Sequence, residues 1–278
     1  MTRLATPTSP GGPVRNRWPG SRPGPAAWLA AALLCSACGG ASKQARSYSD
    51  SARGAYERAL SDLRSGNCLD AGPAFHRIRR RYPYSRFAAL AELRSADCLF
   101  EQGKYVESIP AYRRFVRYRP SHSEVPYARF RIAQAYFEQI PTDWALAPPA
   151  HERDQAPTVD ALNEIRRFLQ DYSDYSYANQ AKRMARAALR LLARHELYAA
   201  RFYLNRDHPI AAVGRLRTLL RSYQGSGLEP EALLLLGRTY LKLRDGRHAK
   251  EAFGELVTRF PRSSQAAEAK DWLRSADS

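Results

Sequence analysis

The chain has 278 residues and a formal net charge of +17, from 44 Lys and Arg against 27 Asp and Glu. A hydrophobic share of 44% provides for a packed core and excludes a solvated polyelectrolyte. Helix formers are common and period-two alternation is scarce, which excludes an all-β fold.

Residues 1–25 are rich in Pro, Gly, Ser and Thr and carry Arg3, Arg15, Arg17 and Arg22 with no acid. Residues 26–34, AAWLAAALL, form an apolar run well short of the roughly 20 residues a membrane-spanning helix needs. A basic start, a short apolar run and small residues before a break describe a secretory signal over residues 1–37. The break at Ser36, Ala37, Cys38 and Gly39 resembles a bacterial lipoprotein signal, cut between Ala37 and Cys38. Cys35 fits that pattern poorly, because Leu33 and Leu34 precede it. An ordinary signal cut nearby is the alternative. A lipidated Cys38 implies stable anchoring once more than one acyl chain is attached. By the same resemblance, Gly39 rather than Asp after the cysteine implies the outer membrane. Residues 38–48 are expected to be a lipidated flexible tether and residues 49–278 the folded part. Without its leader the chain stays basic, so an acidic partner, anionic lipid or an acidic protein surface, is expected, with a solvated helix surface as the alternative. The periplasmic compartment disfavours nucleic acid.

From residue 49 the chain predicts one architecture, repeated. Residues 103–120, GKYVESIPAYRRFVRYRP, hold Tyr105, Ile109, Tyr112, Phe115 and Val116 on one helical face, and Pro120 stops that helix. With the helix before it, this is a helix-turn-helix unit of roughly 34–37 residues. Counting back from the stops at Pro83, Pro120, Ser173, Gln224 and Pro261, a small residue recurs at Ala71, Ser108, Ala161, Ala212 and Ala249. Four residues on stand Phe75, Tyr112, Ile165, Leu216 and Phe253, and three further Ile78, Phe115, Phe168, Leu219 and Leu256. In the first helices, Ala59, Ala96, Ala133, Ala200 and Gly237 share a phase, followed at the third position by Asp62, Leu99, Tyr136, Tyr203 and Tyr240. Small residues let helices approach and large ones fill the adjacent holes. The fold class is therefore all-α: a tetratricopeptide-type solenoid of about five units.

Cys68 opens the second helix of unit one and Cys98 lies on the first helix of unit two. Adjacent in a solenoid, the two are either bridged or packed as free thiols. Unit three carries an insertion of roughly 16 residues rich in proline, expected as an exposed loop, with Trp144 as either a packing plug, the favoured reading, or a partner anchor. The stretch 176–206 is long for one helix, and residues 264–276 form a terminal capping helix.

Four segments then carry a resemblance to a family. Residues 192–215, LARHELYAARFYLNRDHPIAAVGR, closely resemble the BamD (YfiO) family of outer-membrane assembly lipoproteins. So do RRYPYSRFA at 80–88, FVRYRPSH at 115–122 and ERDQAPTVDAL at 152–162. The resemblance covers about residues 56–261, and departs at Ser173, where the family usually ends the unit with Pro. It implies a lipid-anchored scaffold of the β-barrel assembly machinery on the periplasmic face of the outer membrane. Its C-terminal units would bind the periplasmic domains of the assembly barrel BamA, beside other assembly lipoproteins. Its N-terminal units would receive unfolded outer-membrane proteins.

If first helices line the groove, as in tetratricopeptide repeats, the candidate wall is Tyr56, Leu60, Leu63, Leu93, Phe100, Tyr127, Phe130 and Phe137. Arg53, Arg64, Arg86 and Arg94 are candidates to meet a carboxylate. For each apolar wall residue a place in the core is the equal alternative. No enzyme, metal or cofactor is expected. His76, His122, His151, His195, His208 and His248 are scattered, and no zinc motif, phosphate loop or nucleophile elbow is present. The competing function is a tetratricopeptide lipoprotein of division or pilus assembly, which would lack the RDQ loop and the HELYAARFY stretch. A peptidoglycan-acting enzyme is a third and lacks a catalytic constellation.

Overall fold

A computed structural model of the protein describes the backbone of residues 39–276, with side chains from Ser47 onward. The expected signal segment, Ala37 and Cys38 lie outside these residues. Contacts divide the chain into residues 1–50 and 51–278, and the core described below belongs to the second.

Among the described residues there are eleven α-helices, one 3-10 turn and no strand. Unit one pairs α1 (Gly39–Arg64) with α2 (Cys68–Arg81), and unit two α3 (Arg86–Glu101) with α4 (Tyr105–Tyr118). Unit three pairs α5 (Val125–Phe137) with α6 (Ala156–Asp171), and unit four α7 (Ala178–Asn205) with α8 (Pro209–Ser222). Unit five pairs α9 (Glu229–Lys242) with α10 (Gly246–Arg259), and α11 (Ser264–Ala276) follows. From α2 on, each helix packs against the next, as a solenoid requires.

The repeat register is the core. Ala71, Ser108, Ala161, Ala212 and Ala249 are all fully buried, as are Phe75, Tyr112, Ile165 and Leu216, with Phe253 nearly so. The next register position also supplies the helix stops. The N–H groups of Tyr82, Arg119, Tyr172, Tyr223 and Phe260 donate to the carbonyls of Ile78, Phe115, Phe168, Leu219 and Leu256. The geometry is the same at Tyr172 and Tyr223, which precede Ser173 and Gln224, as before the three prolines. The C-cap residue, with ψ turned to between 39° and 60°, ends the helix, and proline only reinforces the stop.

The turn inside units one, two, four and five is equally regular. A residue in the left-handed region precedes the second helix of these four units by two positions: Gly66 (φ 80°), Gly103 (φ 72°), Asp207 (φ 61°) and Arg244 (φ 57°). The following N–H, of Asn67, Lys104, His208 and Asp245, reaches back to the carbonyl of Asp62, Leu99, Tyr203 and Tyr240. This is a Schellman-type closure, and the recurring first-helix position is the one whose carbonyl it consumes.

Unit three lacks this turn because the insertion follows Phe137. Asp143 accepts from the Ala150 N–H at 2.6 Å, and Gln155 donates to the carbonyls of Ala150 and Arg153. The buried Ala150 and a 2.8 Å contact from His195 Nδ1 to the His151 carbonyl fasten the segment to α7. Two expectations change here. Trp144 is 62% exposed beside the exposed Leu146, so it plugs nothing, and of the two readings only the partner anchor is left. The stretch expected as a tether after Cys38 is helical from Gly39, where Ala41, Lys43, Gln44, Ala45 and Arg46 favour helix. The 176–206 stretch is one continuous helix, α7. At the end of the chain, α11 buries Ala266 and Ala269 and sets Trp272 4.9 Å from Phe253, covering the last apolar face.

Candidate peptide-binding groove

The first helices of units one to three meet in a groove of about 560 Å³, walled by α1, α3 and α5. Leu60, Leu63 and Arg64 come from α1, Arg94, Asp97 and Glu101 from α3, and Tyr127 and Arg131 from α5. Apolar residues on one flank and charge on the other make it amphipathic.

Asp97, only 4% exposed, organises the charged side. It accepts hydrogen bonds from the Tyr112 hydroxyl at 2.6 Å and the Tyr127 hydroxyl at 3.0 Å, and pairs with Arg94 at 2.7 Å. Burial, and then the Asp97 charge, push both tyrosines well above their ordinary pKa, so both stay protonated and donate. Burial opposes the Arg94 charge, yet Asp97 holds its pKa above the ordinary value. Arg131 lies 3.8 Å from Asp97, donates to Tyr112 at 3.2 Å and to Glu101 at 2.8 Å, and covers the Phe100 ring at 3.7 Å. Arg94 also reaches Glu124 at 3.3 Å. Its Nε is buried without a hydrogen-bond partner, and Arg64 has no ion-pair partner among the described residues.

Lining the groove, Arg64, Arg94 and Arg131 outnumber Asp97 and Glu101. A rigid, net-positive floor beside Leu60 and Leu63 suits an extended segment ending in a carboxylate with an apolar or aromatic neighbour. Among the described residues no group of His, Cys, Asp and Glu could hold a metal.

Of the candidate residues, Leu60, Leu63, Tyr127, Arg64 and Arg94 line this groove. The others serve the core. Leu93 is fully buried, Tyr56 packs against Phe75 and Phe87, and Phe100 lies beneath Arg131. Phe130 stacks on Tyr177 at 4.5 Å, and Phe137 packs against the same cluster. Arg86 is spent over the Phe87 ring and Arg53 on Glu57. Apolar residues on three of a helix's sides are taken by packing against two neighbours, which leaves little apolar wall. Asp97, Glu101 and Arg131 were missed. The signal for them was a charged residue next to the small Ala96 and an Arg three residues before Asp97, at ion-pair spacing. Cys68 and Cys98 are free thiols, buried in one cluster. Burial, and then the neighbouring Cys68, push the Cys98 thiol up, so little thiolate is present to start an exchange.

The fold defines a helical-repeat protein with an amphipathic groove, and no described helix is long and apolar enough to cross a membrane. A family profile described as "YfiO: Outer membrane lipoprotein" matches residues 49–252, and the chain belongs to that family. It is similar to proteins named outer membrane protein assembly factor BamD. That of Xylella fastidiosa (strain 9a5c) is 27% identical over 210 residues, 74% of this chain and 71% of the relative. That of Caulobacter vibrioides is 30% identical, covering 74% and 65%, and that of Neisseria gonorrhoeae 28% identical, covering 83% and 89%. A solved tetratricopeptide protein of Thermus thermophilus aligns with 81% of this chain and 98% of its own at 14% identity. Its TM-score of 0.34 adds nothing to the geometry.

Proposed function

We propose that this protein is a scaffold of the β-barrel assembly machinery, held by a lipid on Cys38 at the periplasmic face of the outer membrane. The C-terminal units bind the periplasmic domains of the assembly barrel. The α1–α3–α5 groove receives unfolded outer-membrane proteins. The role is that of a receptor, not a catalyst. The observation carrying the reading is this preorganised cationic and apolar groove in a YfiO-family chain whose relatives are named assembly factors.

The test is a pull-down from detergent-solubilised membranes with a C-terminally tagged full-length chain, identified by mass spectrometry. Recovery of a large outer-membrane barrel with repeated periplasmic domains, in near-stoichiometric amount, is expected. Recovery of division or pilus proteins without that barrel overturns the reading. In the same cells, Cys38→Ala moves the chain out of the outer-membrane fraction if the lipid anchors it there.

A further inference from the structure

A second groove, of about 450 Å³, lies far along the chain, between α8 and α10 with α9 beneath it. Its lining includes the apolar Leu236 and Ala252, and like the first it holds uncommitted polar groups, here including a buried hydroxyl. Tyr240 lines it, is 6% exposed, and has a hydroxyl that is buried with no hydrogen-bond partner. Its ring is stacked with His248 at 5.1 Å and has the Arg217 guanidinium 5.7 Å from its centre. Those contacts fix the ring without using its oxygen.

The charges divide into used and unused. Glu255 pairs with Arg259, Glu251 lies 3.7 Å from Arg247, and His248 Nδ1 meets Asp245 at 2.6 Å. Arg217 and Arg221 meet no carboxylate among the described residues, and the bond Arg221 makes is to the Arg217 carbonyl at 3.4 Å. The two stand one helical turn apart on α8, the spacing at which side chains share a face. Two guanidiniums, an idle hydroxyl and an apolar floor match acidic side chains one turn apart on a partner helix, with an apolar side chain between them. The apolar floor gives a phospholipid headgroup no counterpart.

We propose that this groove is a docking site for such an acidic helical segment of a protein partner. The proposal rests on the function above only in expecting that partner at units four and five.

The probe is a blocked, fluorescent helical peptide with glutamates at i and i+4 and a leucine between them, titrated into the full-length protein in detergent and followed by anisotropy. Arg217→Glu with Arg221→Glu weakens binding at least tenfold, and Tyr240→Phe about threefold. Arg183→Glu with Arg186→Glu, the same charge change on exposed residues of α7, stays within twofold of the parent. Tyr240→Phe deletes a buried hydroxyl with no partner, so its melting temperature is no lower than the parent's and loss of binding is not loss of fold. Equal losses in the two charge-reversal variants mean diffuse attraction to a basic surface and overturn the site. So does full affinity of Tyr240→Phe. If vesicles of anionic phospholipid lose binding in the α8 variant while the peptide does not, the groove takes a headgroup and the proposal fails. Recovery of the barrel in the pull-down by the α8 variant is read separately, so the site and the wider function fail independently.

Discussion

Asp97 is the residue on which the first groove depends, because two guanidiniums and two hydroxyls converge on one buried carboxylate. Replacing it with Ala leaves Arg94 and Arg131, whose side chains are 20% and 12% exposed, facing each other with the neutralising charge gone. Asp97→Ala is expected to cost about 3 kcal/mol of unfolding free energy in urea, the usual penalty for removing one partner of a buried pair. Asp97→Asn keeps an acceptor for the tyrosines and costs less. Asp245 makes a pH-dependent contribution of another kind. It caps α10 by accepting from the His248 N–H at 3.1 Å, and that bond, then the His248 side chain, lowers its pKa. A carboxyl with a folded pKa below its unfolded value of about 3.9 stabilises above that value and loses its contribution as pH falls through the folded pKa. Asp245→Ala therefore lowers the melting temperature at pH 7, and the difference from the parent narrows as pH falls below the ordinary carboxylate range.

At the scale of the helix, the turn and the close approach explain the repeat. Arg244 occupies the left-handed position that Gly66 and Gly103 fill at no steric cost, and Asp207 in the same place is held by Lys242 at 2.8 Å. Arg244→Gly should raise stability by roughly 0.5–1 kcal/mol, the relief of left-handed strain less the added entropy of the unfolded chain. A loss in a denaturant melt would contradict this account of the turn. Gly237 marks the opposite limit. Units one to four have Ala at its phase, but a Cβ there would overlap the Phe253 ring. Gly237→Ala should cost about 1–3 kcal/mol by overpacking, and Phe253→Leu in the same chain should recover part of it. These elements were legible in the sequence because a solenoid repeats its packing. Each small or large residue in register has the same neighbours in every unit, so five instances vote on one position. The tether and Trp144 had no such repetition. At Gly39 local helix propensity decided the outcome. At the insertion, side-chain bonds to the backbone and a seat on α7 held the loop without the tryptophan.

Over the whole molecule the basic charge has a visible disposition. Arg94 with Glu124, Arg131 with Glu101, Arg201 with Glu231 and Arg238 with Glu268 each join residues 30 apart, stitching first helices to one another and the last of them to the capping helix α11. The exposed pairs among them each add at most about 1 kcal/mol, so their main effect is register rather than stability. The two grooves lie where this stitching leaves cations over: Arg64 in the first, Arg217 and Arg221 in the second. Composition told that the surface was basic but not where the surplus lay, because pairing between helices of different units is invisible in a linear pattern. For the same reason the groove was only half legible. A first helix packs on three sides, and Leu93 and Phe130 are claimed by the core while Leu60 and Leu63 are not.

The central claim is that the α1–α3–α5 groove takes a carboxylate-ended, aromatic segment of an unfolded outer-membrane protein. It is tested most directly by titrating full-length protein in detergent with a peptide copied from the last strand of an outer-membrane barrel, ending in phenylalanine. The free carboxylate should bind about tenfold more tightly than its amide, a difference of about 1.4 kcal/mol. Leu63→Glu should lose at least that much, and the Arg217→Glu, Arg221→Glu variant should bind like the parent. Equal affinity for acid and amide, undiminished in Leu63→Glu, would contradict the account.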